Sequence, residues 1–190
     1  SQSRRDCPRN RAFSETLRTF RRILVTFNTD ELMEMAIQIE KNGKEYYGLM
    51  TEKSHNPEVK QVFEYLGREE QSHLENFVKI RERLAKSQAE NEFEIADEYN
   101  TPEMFGYLNA LFDGRVFPNL RSHAEIANEI NTDEQAIYHA IGFEKDTVLF
   151  FQEILSILGP SDPNKGLVEE LIRQEKIHIA RLYTLLGNIK

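Results

Sequence analysis

The chain of 190 residues has one cysteine, no tryptophan, six prolines and nine glycines. A single cysteine excludes an intramolecular disulfide framework and every C-x-x-C metal site. It also fits a reducing compartment. No apolar run approaches the roughly 18 residues a membrane span requires, and no signal-peptide core appears. A soluble, cytoplasmic protein with no membrane partner is therefore expected. Strand alternation long enough to defend is missing as well. Arginine is spread unevenly. Residues 1–27 carry seven arginines against Asp6 and Glu15, a balance of +5, so residues 28–190 carry −13 of the total of −8. So acidic a body repels phosphate backbones, and nucleic acid is not an expected partner. The arginine-rich residues 1–27 read as a solvated basic extension, and the Ser-Gln-Ser start without Met is expected of a processed or cloning-derived end. Residues 28–190 are expected to form the folded domain.

Helical periodicity fills that domain. A first helix is predicted from Asn28-Thr29-Asp30 to about Ser54, with Leu32, Met35, Ala36, Ile39, Gly43, Tyr46, Tyr47 and Met50 on its apolar stripe. His55-Asn56-Pro57 breaks it, and Pro57 suits the first turn of a second helix reaching about Lys86. The segment 87–131 is less regular, with one short helix predicted from Pro102 to Phe112 and another around Ala124 to Ile130. A third long helix is predicted from Thr132-Asp133 to Gly159-Pro160, and a fourth from about Leu167 to Leu186, stopped by Gly187. Two short connections imply two antiparallel hairpins, and the middle segment is long enough to cross between them. The expected fold is all-α, a four-helix bundle with one long crossover.

Charged residues sit where the stripes require core. At about 100° per residue, Glu40 lies ~80° from Leu32, Glu70 and His73 lie ~80° and ~20° from Val62, and Glu144 lies ~20° from Ile137. Glu175 and His178 lie ~80° and ~20° from Leu167, the same phase as in the second helix. Four carboxylates and two imidazoles thus point inward from four helices. Glu40 and Glu70 are also nearly level, about 14 residues before and 13 after the first hairpin turn. Buried carboxylates without a partner cost several kcal/mol each or protonate, so a positive charge belongs among them.

The halves repeat. Glu40 to Glu144 is 104 residues, while Glu70 to Glu175 and His73 to His178 are both 105. A Glu from each of two helices with Glu-x-x-His from each of the other two is the ligand pattern of ferritin-like dimetal bundles. One Glu-x-x-His alone is weak: with 25 Glu and five His, chance supplies about 0.7 matches. Glu52-Lys53-Ser54-His55 is such a match, but Glu52 lies ~200° from Leu32 and is rejected as solvent-facing.

These residues resemble the ferritin-like superfamily, specifically its rubrerythrin-like branch, over about residues 30–188. The similarity rests on Glu40 with Tyr47, Glu70-x-x-His73, Glu144, Glu175-x-x-His178, the segment Phe105–Phe112 with Arg115–Pro118, and Ala140–Phe150. The resemblance implies a ferritin-like four-helix bundle around two iron ions, with another divalent metal such as zinc as the alternative. Glu40 and His73 would bind one iron, Glu144 and His178 the other, and Glu70 and Glu175 would bridge them. It implies a di-iron oxidoreductase that reduces hydrogen peroxide, or dioxygen, with Tyr47 as a catalytic proton or hydrogen-bond donor. The alternatives are a ferroxidase and a bundle with a structural metal.

Three departures from that branch stand out. With only Cys7, no rubredoxin module lies in these residues, so electrons would come from an external donor, rubredoxin-like or a flavoprotein. Thr147 stands where rubrerythrins carry an additional Glu. Phe151 stands opposite Tyr47 in the repeat. A homodimer is also implied. Glu69 and Gln174 are candidates to orient the histidines across the bundle, whereas His123 and His139 read as ordinary.

Overall fold

In the computed structural model the described residues are 29–86, 123–158 and 162–189, with 103, 104, 106, 107 and 110 between them. Five helices follow in order: α1 Thr29–Lys53, α2 Pro57–Lys86, α3 His123–Glu129, α4 Asp133–Ile157 and α5 Lys165–Asn188. The basic segment 1–27 and most of the crossover, including Arg115–Pro118, lie outside the described residues. Of the predicted helix Pro102–Phe112, residues 103, 104, 106, 107 and 110 are helical.

Local chemistry places the helix starts. Asn56 caps α2, its Oδ1 accepting from the backbone N–H of Glu58 at 2.9 Å, and Pro57 fills the first helical position, where no N–H is required. Thr132 caps α4 by accepting from the Gln135 N–H at 3.1 Å, while the Gln135 side chain takes the Asn131 N–H at 2.9 Å. The last helix departs from expectation at both ends. It starts at Lys165 rather than Leu167, and Gly187 lies inside it rather than stopping it. The Asn188 amide donates to Glu58 on α2 at 2.6 Å, and the Ile189 N–H bonds the Leu185 carbonyl, so the final turn is held beyond the glycine.

Helices α1 and α2 pack as one hairpin, α4 and α5 as another, and the hairpins meet through α2 with α5 and α1 with α4. Short α3 packs on α1, where the Lys53 ammonium donates to the Ala127 carbonyl at the end of the bundle. Two apolar clusters fill the interior. One, toward the α1 N-terminus, holds Met33, Ile37, Phe77, Ile80, Phe150, Phe151 and Ile154. The other holds Tyr46, Tyr47, Met50, Phe63, Leu66, Ile137 and Leu182. Along every long helix the change from one cluster to the other falls at the same level. The residues at that level are Glu40 on α1, Glu70 and His73 on α2, Glu144 and Thr147 on α4, and Glu175 and His178 on α5, all buried. Two dry plugs therefore sandwich a charged layer.

Candidate metal centre

All six residues predicted to face inward meet in that layer, each no more than 1% exposed. Glu175 stands between the imidazoles: its Oε1 lies 2.8 Å from His73 Nδ1 and its Oε2 lies 2.8 Å from His178 Nδ1. The rings are stacked at 5.5 Å with 16° between their planes. His73 Nδ1 also faces Glu40 at 3.5 Å and Glu70 at 3.8 Å, and His178 Nδ1 faces Glu144 at 3.7 Å and Glu70 at 3.8 Å. These contacts are short enough for ion pairs, yet they are not aligned as hydrogen bonds. Among the described residues, both oxygens of Glu40 and of Glu175, one each of Glu70 and Glu144, and Nδ1 of both histidines find no hydrogen-bond partner. Lone pairs aimed at a shared space instead of at one another are what a cation requires of its donors.

The charges are strained against one another. Burial pushes Glu40 and Glu70 well above the usual carboxylate range, and the neighbouring carboxylates Glu175 and Glu144 add to it. Burial, with Glu175, lifts Glu144 to about 7 against the opposing pull of His178. At Glu175 burial pushes upward too, but the two imidazoles outweigh it and hold the group well below the carboxylate range. Burial would lower both histidines; the carboxylates win instead, raising His73 to about 9 beside Glu175 and His178 to about 10 beside Glu144 and Glu175. Without metal, the imidazoles thus carry the positive charge that the carboxylates of the layer face.

The donors form two overlapping groups: Glu40, Glu70, His73 and Glu175, and Glu70, Glu144, Glu175 and His178. Within each, one ligand atom per residue lies within 4.8 Å of all the others. Glu70 and Glu175 belong to both. Hard carboxylate oxygens with one imidazole per group suit iron and other first-row divalent ions, and the unbonded lone pairs show that the residues present fit a pair of them.

Around the layer, Tyr47 donates its hydroxyl to Glu144 Oε1, and burial followed by the Glu144 charge raises its pKa well above 10. Gln174 Oε1 lies 2.8 Å from His73 Nε2, as expected of a residue orienting that ring. Glu69 does not do the same for His178: among the described residues Nε2 of His178 has no hydrogen-bond partner, and Glu69 instead helps to raise the pKa of the Tyr65 phenol. Rejected Glu52 is exposed. Thr147 is buried with its hydroxyl unpartnered. His139 stacks on Tyr46 at 4.9 Å.

Two features escaped the reading of the sequence. Tyr46 is fully buried because its hydroxyl donates to the Ala136 carbonyl at 2.7 Å, tying α1 to α4. Gly43 makes room for the centre: a Cβ there would lie 2.8 Å from Phe143 Cε1 and 3.2 Å from the Glu70 carboxyl carbon. A glycine on the inward stripe of a helix, one turn from a buried Glu, was the available signal.

Fold and site together define a ferritin-like four-helix bundle with a buried carboxylate–imidazole centre able to hold metal. A family model described as Rubrerythrin matches residues 31–138, more than half of the chain, and the chain belongs to that family. No curated protein and no solved structure matches it. The matched span contains Glu40, Tyr47, Glu70 and His73, whereas Glu144, Glu175 and His178 lie beyond it and join the centre through geometry. Among the described residues no helix is long and apolar enough to cross a membrane.

Proposed function

We propose that the protein is a non-haem di-iron oxidoreductase that reduces hydrogen peroxide with electrons from an external donor protein. The observation that carries this reading is the pair of donor groups sharing Glu70 and Glu175, in a chain of the rubrerythrin family. Glu40 and His73 would hold one iron and Glu144 and His178 the other, with Glu70 and Glu175, which belong to both donor groups, contributing to each. The charge of two divalent ions would balance the four carboxylates of this layer, a role that protons take in the metal-free protein.

Bound there, a pair of ferrous ions would supply the two electrons that, with two protons, convert hydrogen peroxide into two waters. The donor, rubredoxin-like or a flavoprotein, returns the electrons, because one cysteine cannot build a Cys-ligated iron site in these residues. Tyr47 keeps its proton on the phenol oxygen and acts through Glu144, holding that carboxylate by its hydrogen bond. The apolar clusters on either side exclude water and keep the carboxylates in a low-dielectric layer, where their attraction for a cation is strong.

Thr147 favours a second reading. It presents a buried hydroxyl where an additional carboxylate would assist peroxide turnover, which leaves a symmetric set suited to oxidising Fe(II) and passing it on. Anaerobic loading with Fe(II), followed by stopped-flow mixing with matched hydrogen peroxide and dioxygen, decides between them. Much faster oxidation by peroxide is expected. Faster oxidation by dioxygen would move the assignment to a ferroxidase, and inertness toward both would sink the redox reading.

A further inference from the structure

The centre supports its two imidazoles unequally. His73 Nε2 meets Gln174 Oε1 at 2.8 Å, and the orientation of that amide is set from outside. Gln174 Nε2 donates to Glu170 Oε1 at 2.8 Å, and Glu170 accepts in turn from Arg173 Nε at 2.7 Å. A carboxylate paired with an arginine only accepts, so the amide must present its NH2 to Glu170 and its oxygen to His73. His73 consequently carries its hydrogen on Nε2, and Nδ1, facing Glu40, Glu70 and Glu175, is left as the donor atom.

His178 has no such arrangement. Among the described residues its buried Nε2 has no hydrogen-bond partner. Glu69, which precedes Glu70 as Gln174 precedes Glu175, instead acts on the Tyr65 phenol, whose pKa it helps to raise. The Tyr65 ring stands edge-on to His178 at 6.3 Å and is covered on its other side by the Arg181 guanidinium at 4.0 Å from its centroid. A ring in that position packs against the imidazole but accepts no proton from its outer nitrogen.

We infer that Gln174 is a positioning residue that makes His73 the fixed imidazole of the centre, leaving His178 as the exchangeable one, so that the two metal positions release their ions at different rates. The inference rests on the dimetal reading above. An imidazole anchored at its outer nitrogen has its tautomer and rotation settled before metal arrives, and its inner nitrogen is more basic; such support is worth about 10–100-fold in metal affinity. The His73 position is the slow one and the His178 position the fast one.

The test uses the full chain loaded with Co(II), whose absorption bands report release into excess EDTA and whose paramagnetism shifts imidazole N–H resonances in NMR. Two release phases differing about tenfold or more are expected, with one slowly exchanging shifted N–H. Gln174→Leu should speed the slow phase about tenfold and erase that resonance. Gln174→Glu keeps an acceptor and should restore both, separating a lost hydrogen bond from a damaged fold. Glu69→Ala should leave both phases unchanged. One release rate in the parent protein, an unchanged slow phase in Gln174→Leu, or loss of the slow phase in Glu69→Ala each overturns the inference alone. Failure to take up Co(II) at all overturns the metal-centre reading, and the inference with it.

Discussion

The two hairpins carry the same inward-facing plan but support it differently. Glu144 on the second hairpin receives the phenol of Tyr47 from the first. Glu40, its counterpart, has no hydrogen bond on either oxygen among the described residues. The residue that would return the favour is Phe151, which packs against Phe77 at 5.0 Å. For the imidazoles the direction reverses: the second hairpin sends Gln174 to His73, while Glu69 of the first turns to Tyr65. Each hairpin thus lends the other one support, a phenol in one direction and an amide in the other. The six inward residues recur in both hairpins and make one buried donor layer. The supports differ because a single hydrogen bond contributes only about 1 kcal/mol net.

The comparison breaks most completely when the shared layer is removed. Replacing both Glu70 and His178 by alanine should abolish uptake of two metals per chain, measured by elemental analysis after loading; retention of both would show that the donors lie elsewhere. The next largest effect is that of pH on the metal-free protein. The folded-state values of about 9 for His73 and about 10 for His178 exceed the ordinary 6.5. Their contribution is complete below pH 6.5 and lost as pH rises through 9 to 10. Glu144, raised to about 7 from 4.5, acts in the same direction, as do Glu40 and Glu70. Only Glu175, held low, loses its contribution on acidification. Melting temperature without metal should therefore fall between pH 6.5 and 10, and metal loading should remove the fall, because bound ligands are already deprotonated. A flat metal-free profile would contradict imidazoles that carry charge in the metal-free layer.

Smaller changes sharpen the contrast between the hairpins. Gly43→Ala places a methyl group 2.8 Å from Phe143 and 3.2 Å from Glu70. Overpacking of this kind costs about 1–3 kcal/mol, more than the ~1 kcal/mol by which alanine exceeds glycine in helix propensity. Denaturant titration should show net destabilisation together with weaker metal binding; a stabilised variant would mean that Phe143 yields freely. Tyr47→Phe makes the first hairpin match Phe151 of the second. It should cost about 1–3 kcal/mol in the metal-free protein by leaving Glu144 Oε1 unpaired. Glu52→Ala, at the exposed Glu-x-x-His, should change neither metal content nor stability, and a loss of metal there would refute the helical-phase argument.

How much was legible in the sequence depended on the kind of interaction. Helical phase placed Glu40, Glu70, His73, Glu144, Glu175 and His178 on the inside, since about 100° per residue is a property of the backbone and needs no partner. It rejected Glu52 by the same rule. Helix starts were legible at Asn56-Pro57 and Thr132, where a side chain bonds the backbone a few residues away. The end of the last helix was not, because its final turn is held by Asn188 reaching Glu58, a contact between residues 130 apart. Nor was the use of Gly43: the sequence marks a small residue on the stripe, while the reason for it lies on α2 and α4.

The sequence alone therefore determined four helices, their two hairpins and the set of six inward donors, because periodicity and spacing are local quantities. The tertiary structure decided which donors overlap, that Glu175 stands between both imidazoles, and that Gln174 holds a histidine while Glu69 does not. Those outcomes depend on side chains of different helices competing for the same few ångströms of buried space, where hydrogen bonding and desolvation, rather than helical phase, choose the partner.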